Sequence, residues 1–297
     1  MSFTPRITQL RDGLSIPTVG LGTWQVTNKE SMKVIVKDAI KAGYRHIDTA
    51  TVYTNEDAIG DALQEVFSDS SYGVKRSDIW VTSKLSPSHQ GYESTIKAVH
   101  NSLQKLKLEY LDMYLIHWPG TTNLDPQDPQ LKINRKESWR ALEELKEKKL
   151  LRAIGVSNYQ ISHLNEMKEY AKVLPYVNQC EFHPLLFTKQ LVEHTQSLGI
   201  AFEAYSSLGE GNLVNGNYKF PVLDEIASKH GATVAQVLLC WGMQHGAIIL
   251  PKSSSEPRLV QNFACQKFTL SESDMAAIDN ISSTQTKRFC WDPTKIL

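Results

Sequence analysis

The sequence of 297 residues lacks several features that would assign it at once to a class of proteins. No run approaches the roughly 18 apolar residues that a membrane span requires, and the first ten residues lack the apolar segment of a secretory signal peptide. Lysine plus arginine and aspartate plus glutamate both total 32, so the net charge is zero. We therefore expect a cytoplasmic protein without nucleic-acid or membrane partners.

Cysteine is scarce, and its spacing argues against two kinds of site. Cys180, Cys240, Cys265 and Cys290 are widely separated and form no C-x-x-C pair. Such spacing predicts neither a zinc site nor a disulfide framework. We expect free thiols in a reducing compartment and no bound metal.

The glycine motifs of nucleotide-binding sheets are missing or incomplete. Gly20-Leu21-Gly22 continues as Thr23-Trp24-Gln25, so the third glycine of G-x-G-x-x-G is absent, and no P-loop occurs. An open, doubly wound sheet commonly carries that fingerprint after its first strand. Its absence counts against this architecture.

What the chain does contain is an alternation of short, β-rich apolar runs with amphipathic helical segments. Arg6–Leu10 and Leu14–Pro17 flank Asp12-Gly13, which predicts an N-terminal β-hairpin. The strands predicted after the hairpin are Val19–Gly22, His46–Ala50, Ile79–Lys84, Asp112–His117, Leu151–Val156, Tyr176–Cys180, Ile200–Tyr205 and Ala247–Leu250.

The segments between the strands show helical periodicity, and the first of them is the clearest. Thr27 and Glu30 form a possible capping box. One predicted helical face then carries Met32, Ile35, Val36, Ala39 and Ile40. At the other end of the chain, Ser271 and Asp274 open one further helix, which runs through Ile281.

This alternation implies parallel strands with crossover helices, in a closed barrel or an open sheet. About eight units are present and the dinucleotide fingerprint is not, which favours the barrel. A barrel of this kind needs roughly 250 residues, so one would nearly exhaust the chain. We predict an α/β fold, a (β/α)8 TIM barrel with an N-terminal β-hairpin and an extra C-terminal helix, as a single domain over residues 1–297.

Polar side chains stand at the ends of the predicted strands, where barrel enzymes build their active sites. Asp48 follows the second barrel strand and Tyr53 lies in the loop after it. Lys84 ends the third strand and His117 ends the fourth. Each residue alone is more simply a polar group at a strand–loop junction. Four such types on successive strand ends form a much rarer pattern.

The four residue types suit the reduction of a carbonyl group. A carbonyl that accepts hydride becomes an alkoxide, which a tyrosine can protonate if a nearby ammonium lowers its pKa. A carboxylate holds the lysine, and a histidine orients the carbonyl oxygen. The hydride itself must come from a cofactor.

Three segments carry a resemblance to a known family. Gly43–Ala50 reads GYRHIDTA, Ile154–Tyr159 reads IGVSNY, and Leu250–Ser253 reads LPKS, followed by Arg258 and Asn262. Together they resemble the three signatures of the aldo-keto reductase superfamily, and the match runs in register from the hairpin to the last helix. The resemblance implies an NADPH-dependent carbonyl reductase, commonly a monomer.

The same resemblance implies roles for individual residues. Tyr53 would be the general acid, Lys84 and Asp48 would tune it, and His117 would orient the carbonyl. Trp24, Trp118 and Trp291 would line the substrate pocket. Residues implied to bind NADPH or NADP+ are Gly22, Thr23, Trp24, Ser157, Asn158, Gln179, Tyr205, Ser206, Leu208, Lys252, Ser253, Arg258, Gln261 and Asn262.

Two hypotheses of different classes remain open from the sequence. The first is a reductase that acts on a small-molecule aldehyde or ketone. The second is a non-catalytic or redox-sensing interaction protein on the same fold, comparable to channel-associated β subunits or lens crystallins, which can retain the site residues. The absence of a long N-terminal extension weighs against the channel-type role.

Overall fold

The computed structural model describes residues 4–297, in which strands and helices alternate as the sequence predicts. The strands are Ile7–Gln9 (β1), Ser15–Pro17 (β2), Leu21–Gly22 (β3), His46–Asp48 (β4), Trp80–Leu85 (β5), Leu111–Ile116 (β6), Leu151–Ser157 (β7), Val177–Glu181 (β8), Ala201–Tyr205 (β9) and Ala247–Ile249 (β10). The helices are Lys29–Ala42 (α1), Glu56–Ser68 (α2), Tyr92–Leu106 (α3), Gln130–Glu147 (α4), Ile161–Met167 (α5), Lys189–Ser197 (α6), Pro221–His230 (α7), Val234–Gln244 (α8), Glu256–Phe263 (α9), Glu272–Asp279 (α10) and Ile281–Thr284 (α11).

Strands β3 to β10 form one parallel sheet in which each strand pairs with the next in chain order. Val19, just before β3, makes a parallel bridge with Ile249 of β10. The N–H groups of Gly20 and Gly22 donate to the carbonyls of Ile249 and Pro251 over 2.9 and 3.1 Å. The two edges of the sheet therefore meet, which confirms the predicted barrel and excludes an open sheet.

The helices surround this barrel. Helices α1 to α6 each follow one strand, from β3 to β8, while α7 and α8 both lie between β9 and β10. The predicted extra C-terminal helix is present as α10. Asn280, whose dihedrals stay near helical values (φ −67°, ψ −13°), joins it to the short α11.

The N-terminal hairpin is also confirmed. Strands β1 and β2 pair antiparallel, and Asp12 and Gly13 between them have φ values of 58° and 72°. Aspartate and glycine adopt this left-handed conformation more readily than most residues. Arg11 in the turn donates to the carbonyls of Leu174, Leu198 and Gly199, so the hairpin lies at the N-terminal ends of β8 and β9.

Helix α1 shows one correction. All five residues of its predicted apolar face are buried. The cap, however, is Asn28 rather than Thr27, and its side-chain oxygen accepts from the N–H of Ser31 at 2.9 Å. Asparagine caps a helix at least as well as threonine, so the helix begins one residue later than predicted.

The core of the fold is apolar, but the barrel interior is not apolar throughout. His46, Thr82 and Glu203 are fully buried inside it, below the C-terminal ends of the strands. Within residues 4–297, no helix combines the length and the apolar composition needed to cross a membrane. The same residues contain no group of three or more His, Cys, Asp or Glu side chains that could hold a metal ion. The buried polar residues inside the barrel lie next to the candidate site.

Candidate active site

Three of the predicted catalytic residues meet at the ends of neighbouring strands. Asp48 ends β4, Lys84 lies near the end of β5, and Tyr53 ends a single 3-10 turn that follows β4. The Nζ atom of Lys84 lies 2.5 Å from Asp48 Oδ1 and 3.3 Å from the Tyr53 hydroxyl oxygen. It also donates to the carbonyl of Thr49 at 2.9 Å. The ammonium is therefore held between a carboxylate, a carbonyl and a phenol.

The electrostatics of this group favour a charged lysine and a protonated tyrosine. Burial alone would lower the pKa of Lys84, but Asp48 and Tyr53 more than offset this and the pKa lies above its ordinary value. Burial raises the pKa of Tyr53, and the nearby Lys84 ammonium opposes that rise without cancelling it. In the protein alone, the lysine thus limits the rise of the tyrosine pKa and does not bring it below its ordinary value.

His117 completes the predicted set from the loop that follows β6. Its ring meets that of Tyr53 edge to face, with the centroids 5.6 Å apart. Burial, together with the Lys84 ammonium, holds the pKa of His117 well below its ordinary value. Its Nδ1 is buried and has no hydrogen-bond partner in the described part of the chain. The imidazole is therefore neutral near physiological pH, and Nε2 is the nitrogen left to meet a ligand.

The Gln179 side chain connects this group to a carboxyl that sequence reasoning missed. Its Nε2 donates to Asp48 Oδ2 at 2.9 Å and to Glu203 Oε2 at 2.7 Å. Burial and the Asp48 carboxylate raise the pKa of Glu203 to about 8. Both side-chain N–H groups of Gln179 are thus engaged by carboxyl groups. Its side-chain oxygen accepts no hydrogen bond from the residues named here.

Ser157 and Asn158 lie beside Gln179, at the end of β7. Asn158 has a φ of 65°, and its Nδ2 donates to the carbonyl of His117 and to Ser157 Oγ, each at 3.0 Å. The hydroxyl of Tyr205 donates to Asn158 Oδ1 at 2.8 Å. A ligand that binds the Asn158 amide must therefore share or replace the bond from Tyr205.

Gly22 ends β3 and Thr23 follows it directly. A Cβ atom at Gly22 would stand 2.8 Å from the carbonyl oxygen of Leu250 and 3.5 Å from Lys252 Cβ. Only glycine therefore allows β3 and the segment after β10 to approach this closely. Thr23 is buried and donates to the carbonyl of Asp48 at 2.9 Å, which fixes the backbone next to the lysine–carboxylate pair.

The segment from Lys252 to Asn262 runs from the end of β10 into α9. Lys252 and Arg258 are exposed, and neither forms an ion pair or a side-chain hydrogen bond within the described residues. Ser255 precedes the helix without capping it, so the N–H groups of the first turn lack a side-chain acceptor. Ser253 differs from expectation, because its hydroxyl donates to the carbonyl of Ser255 and accepts from its N–H.

The remaining residues predicted to hold the cofactor differ in exposure. Gln261 is exposed while Asn262 is buried in α9. Ser206 and Leu208 are half-buried in the loop after β9. Ser206 has a φ of 52°, and its hydroxyl lies 3.5 Å from the sulfur of Cys290 in the C-terminal tail. This loop and the tail are therefore in direct contact.

The predicted pocket tryptophans surround the mouth of the site. Trp24 packs on Tyr53 with ring centroids 4.8 Å apart, and Trp118 meets Trp291 edge to face at 6.1 Å. Trp118 and Trp291 also line a cavity of about 210 Å³ together with Leu124. A larger groove of about 700 Å³ lies outside the barrel, between α4, α5 and the chain end. The larger of these two cavities is thus not at the predicted site.

The structure brings all the predicted catalytic residues together, while their roles stay predictions. Sequence reasoning missed Glu203 and Glu181, both buried on strands that carry predicted residues. Glu181 is two residues after Gln179 on β8, and Glu203 is two residues before Tyr205 on β9. Because side chains in a strand alternate between faces, a period of two counted from those residues would have found both.

Comparison with known proteins bears on the same residues. The model of the Aldo/keto reductase family matches residues 18–283. Glyoxal reductase of Bacillus subtilis is 43% identical over 93% of this chain and 93% of its own length. The 9,11-endoperoxide prostaglandin H2 reductase of Trypanosoma cruzi is 42% identical over 96% of this chain and 93% of its own.

Solved structures agree with these relatives. An aldo-keto reductase of Bombyx mori, solved in complex with NADP, superimposes with a TM-score of 0.85 at 33% identity and covers 94% of both chains. The family match spans the barrel and every strand end described above. The chain belongs to the aldo/keto reductase family.

Proposed function

We propose that this protein is an NADPH-dependent reductase of aldehydes and ketones. The observation that carries the proposal is the contact of the Tyr53 hydroxyl with the buried Lys84 ammonium, which Asp48 holds from the other side. A protonated phenol beside a fixed positive charge suits proton delivery to an oxygen that becomes an alkoxide. His117 lies next to that phenol.

The residues of the site divide the work as follows. Tyr53 gives its proton to the carbonyl oxygen, and Lys84 stabilises the phenolate that remains. The neutral His117 would hold the same oxygen through Nε2 and so orient the carbonyl group. NADPH, when bound, supplies the hydride that reduces the carbonyl carbon. Trp24, packed on Tyr53, helps to exclude water from the phenol.

The residues present fit a reduced nicotinamide dinucleotide. Gly22 lets β3 lie close to the segment after β10, beside which the cofactor would bind, because a Cβ there would meet the carbonyl oxygen of Leu250. The backbone carbonyl of Gln179 accepts from Ser157 Oγ and from the N–H of Asn158, so its side-chain oxygen would be the acceptor for a carboxamide N–H. The loop after β9 would cover the pyrophosphate, and α9 would receive the adenosine. The NADP in the Bombyx mori relative supports this choice of cofactor.

The pocket favours carbonyl compounds that pack against aromatic side chains. Trp24 packs on Tyr53, Trp118 follows His117 in the chain, and Trp291 of the tail meets Trp118 edge to face. Ser86, two residues after Lys84, has a small side chain that is hydrogen-bonded to Ser88. We propose short aldehydes and aromatic aldehydes as the substrate class, and the glyoxal reductase relative supports the former.

A screen of carbonyl compounds tests this proposal directly. Purified protein with NADPH should oxidise the cofactor when glyoxal or an aromatic aldehyde is added, as followed by the loss of reduced-nicotinamide absorbance. NADH should support a much lower rate. If no aldehyde or ketone in a broad panel is reduced with either cofactor, the interaction-protein hypothesis replaces the reductase hypothesis.

We also propose that the protein is a cytoplasmic monomer with one domain over residues 1–297.

The state of His117 gives a prediction about pH. The pKa of His117 lies well below its ordinary value, so the ring should stay neutral as pH falls from 8 to below 6.5. An NMR titration of the ring, assigned with His117→Gln, should show no midpoint in that range. The exposed His100 provides a reference signal in the same spectra. A His117 midpoint near its ordinary value would contradict a neutral carbonyl-orienting imidazole.

A further inference from the structure

The C-terminal tail, residues 287–297, crosses the mouth of the barrel and is fastened at both ends. At its far end, His163 Nε2 lies 3.0 Å from the carbonyl oxygen of Ile296, and the N–H of Leu297 donates to the carbonyl of Pro126 at 2.8 Å. At its near end, the N–H of Lys287 donates to the carbonyl of Leu185 at 2.8 Å. Trp291 lies between these fastenings.

The strongest near-end contact is with Glu181, the last residue of β8. Its Oε1 accepts from the N–H of Phe289 at 2.7 Å, and its Oε2 accepts from the N–H of Cys290 at 3.2 Å. The side chain of Glu181 is fully buried, and Arg288 approaches Oε2 to 3.6 Å. One buried carboxylate thus grips two consecutive backbone N–H groups directly before Trp291.

The surroundings of Glu181 keep it in the form that accepts both bonds. His183 Nε2 lies 2.9 Å from Oε1. Burial raises the pKa of Glu181, but His183 and the two tail N–H groups oppose this, and the pKa lies below its ordinary value. An ionised carboxylate can only accept hydrogen bonds, and the tail backbone supplies two of the donors to Glu181. If the tail moved away, the buried carboxylate would lose both.

The gripped segment of the tail and the residue after it contact aromatic side chains. Phe289 packs beside His183 and Tyr218, with ring centroids 5.2 and 5.6 Å apart. Trp291 is 78% exposed, and its ring meets that of Trp118 edge to face. Because the side chain of Trp291 packs so little, its position depends on the tail backbone on either side of it.

We propose that Glu181 is a positioning residue for substrate selectivity: it fixes the tail backbone so that Trp291 stands against Trp118 and closes the pocket to bulky carbonyl compounds. This inference rests on the proposed reductase function. Glu181 touches no reacting atom in it. It acts through the tail, and its removal should change which substrates enter while the group around Tyr53 stays intact.

The variant Glu181→Gln tests the proposal, and Glu143→Gln is its matched control. Glu143 of α4 is also a buried carboxylate that accepts from two consecutive backbone N–H groups, those of Lys172 and Val173, at 2.7 and 3.0 Å. That loop precedes β8, at the other end of the barrel. Both variants lose charge-assisted bonds of one kind, but only Glu181→Gln loosens the tail.

The expected kinetic result is a change in KM rather than in kcat. Loss of a charge-assisted bond should lower the ratio of closed to open tail by roughly ten-fold or more. For Glu181→Gln, kcat/KM for 2-naphthaldehyde relative to propanal should rise by a similar factor, and Glu143→Gln should leave the ratio unchanged. In a Trp291→Ala background, Glu181→Gln should have no further effect on the ratio, because the side chain it positions is gone.

A measurement that needs no turnover separates this inference from the reductase proposal. With 5-fluorotryptophan incorporated, the ¹⁹F NMR signal of Trp291, assigned with Trp291→Phe, should move toward the free amino acid in Glu181→Gln and stay in place in Glu143→Gln. An unmoved signal in Glu181→Gln, or an equal change in both variants, would overturn the inference. If the signal moves but the protein reduces no carbonyl compound, the contact between Glu181 and the tail is supported and the reductase proposal is wrong.

Discussion

Replacing Tyr53 by phenylalanine is expected to lower kcat for every carbonyl substrate by roughly 10²- to 10⁴-fold, and by more if no water replaces the phenol. The change removes one hydroxyl, which lies 3.3 Å from Lys84 Nζ, and keeps the ring that packs on Trp24. NADPH should bind as before. Steady-state turnover and a fluorescence titration of NADPH measure the two quantities separately.

Two further variants define what the loss means. Tyr92→Phe is the control, since its hydroxyl bonds Glu144 on the outer helices and turnover should not change. Lys84→Met should be about as severe as Tyr53→Phe, but it leaves the buried Asp48 unpaired. Breaking such a pair costs about 3–5 kcal/mol of stability, so its melting temperature must be measured as well. Near-normal turnover by Tyr53→Phe would show that Tyr53 is not the general acid.

The barrel and its catalytic group were predictable because both depend on local patterns. Several barrel strands are short apolar runs with a polar residue at or next to their C-terminal end, and parallel strands align those ends at one edge. Asp48, Lys84 and His117 therefore had to lie near one another once the sheet closed. Closure itself was inferred from the number of units and from a missing glycine motif, and the contacts of Val19 and Gly20 with Ile249 are its direct evidence.

Strand alternation could have identified the two buried glutamates, but their contacts could not be predicted, because the partners come from other parts of the chain. Glu181 accepts from Phe289, 108 residues later, and no sequence pattern joins the two. Glu203 lies in an apolar strand and bonds a glutamine from its neighbour. The pKa of Tyr53 was missed for a similar reason: the sequence suggests the effect of the nearby lysine, whereas the larger effect of burial depends on the packing of the whole site.

The cofactor segment shows both outcomes within a few residues. The sequence predicts a helix start with two cations, and the structure has Lys252 and Arg258 exposed beside α9 without an ion pair in the described chain. It also predicts that Ser253 faces the ligand, but that hydroxyl is used within the turn. A serine two residues before another can bond its backbone, and this local bond competes with any ligand.

Replacing Arg258 by alanine is expected to raise the Kd for NADPH by roughly 10- to 150-fold and to leave the Kd for NADH nearly unchanged. The two cofactors differ by the 2′-phosphate, and a charge-assisted hydrogen bond is worth about 1.5–3 kcal/mol. Arg258 lies in the first turn of α9, where uncapped N–H groups and the helix dipole also favour an anion. Its guanidinium can grip a phosphate with two parallel bonds.

The control for Arg258→Ala is Arg140→Ala, which removes an equal charge from the surface of α4, where Arg140 pairs with Glu137. Because exposed charges farther apart than about 10 Å are screened at 0.1 M salt, a general loss of positive charge would affect the two variants alike, and a specific phosphate contact would not. Glu256 stands in the same first turn of α9 and repels an anion, so a measured preference for NADPH requires cations that outweigh it. If Arg258→Ala weakens NADH and NADPH equally, the guanidinium contacts a part common to both cofactors, and Lys252 becomes the residue to test for the 2′-phosphate.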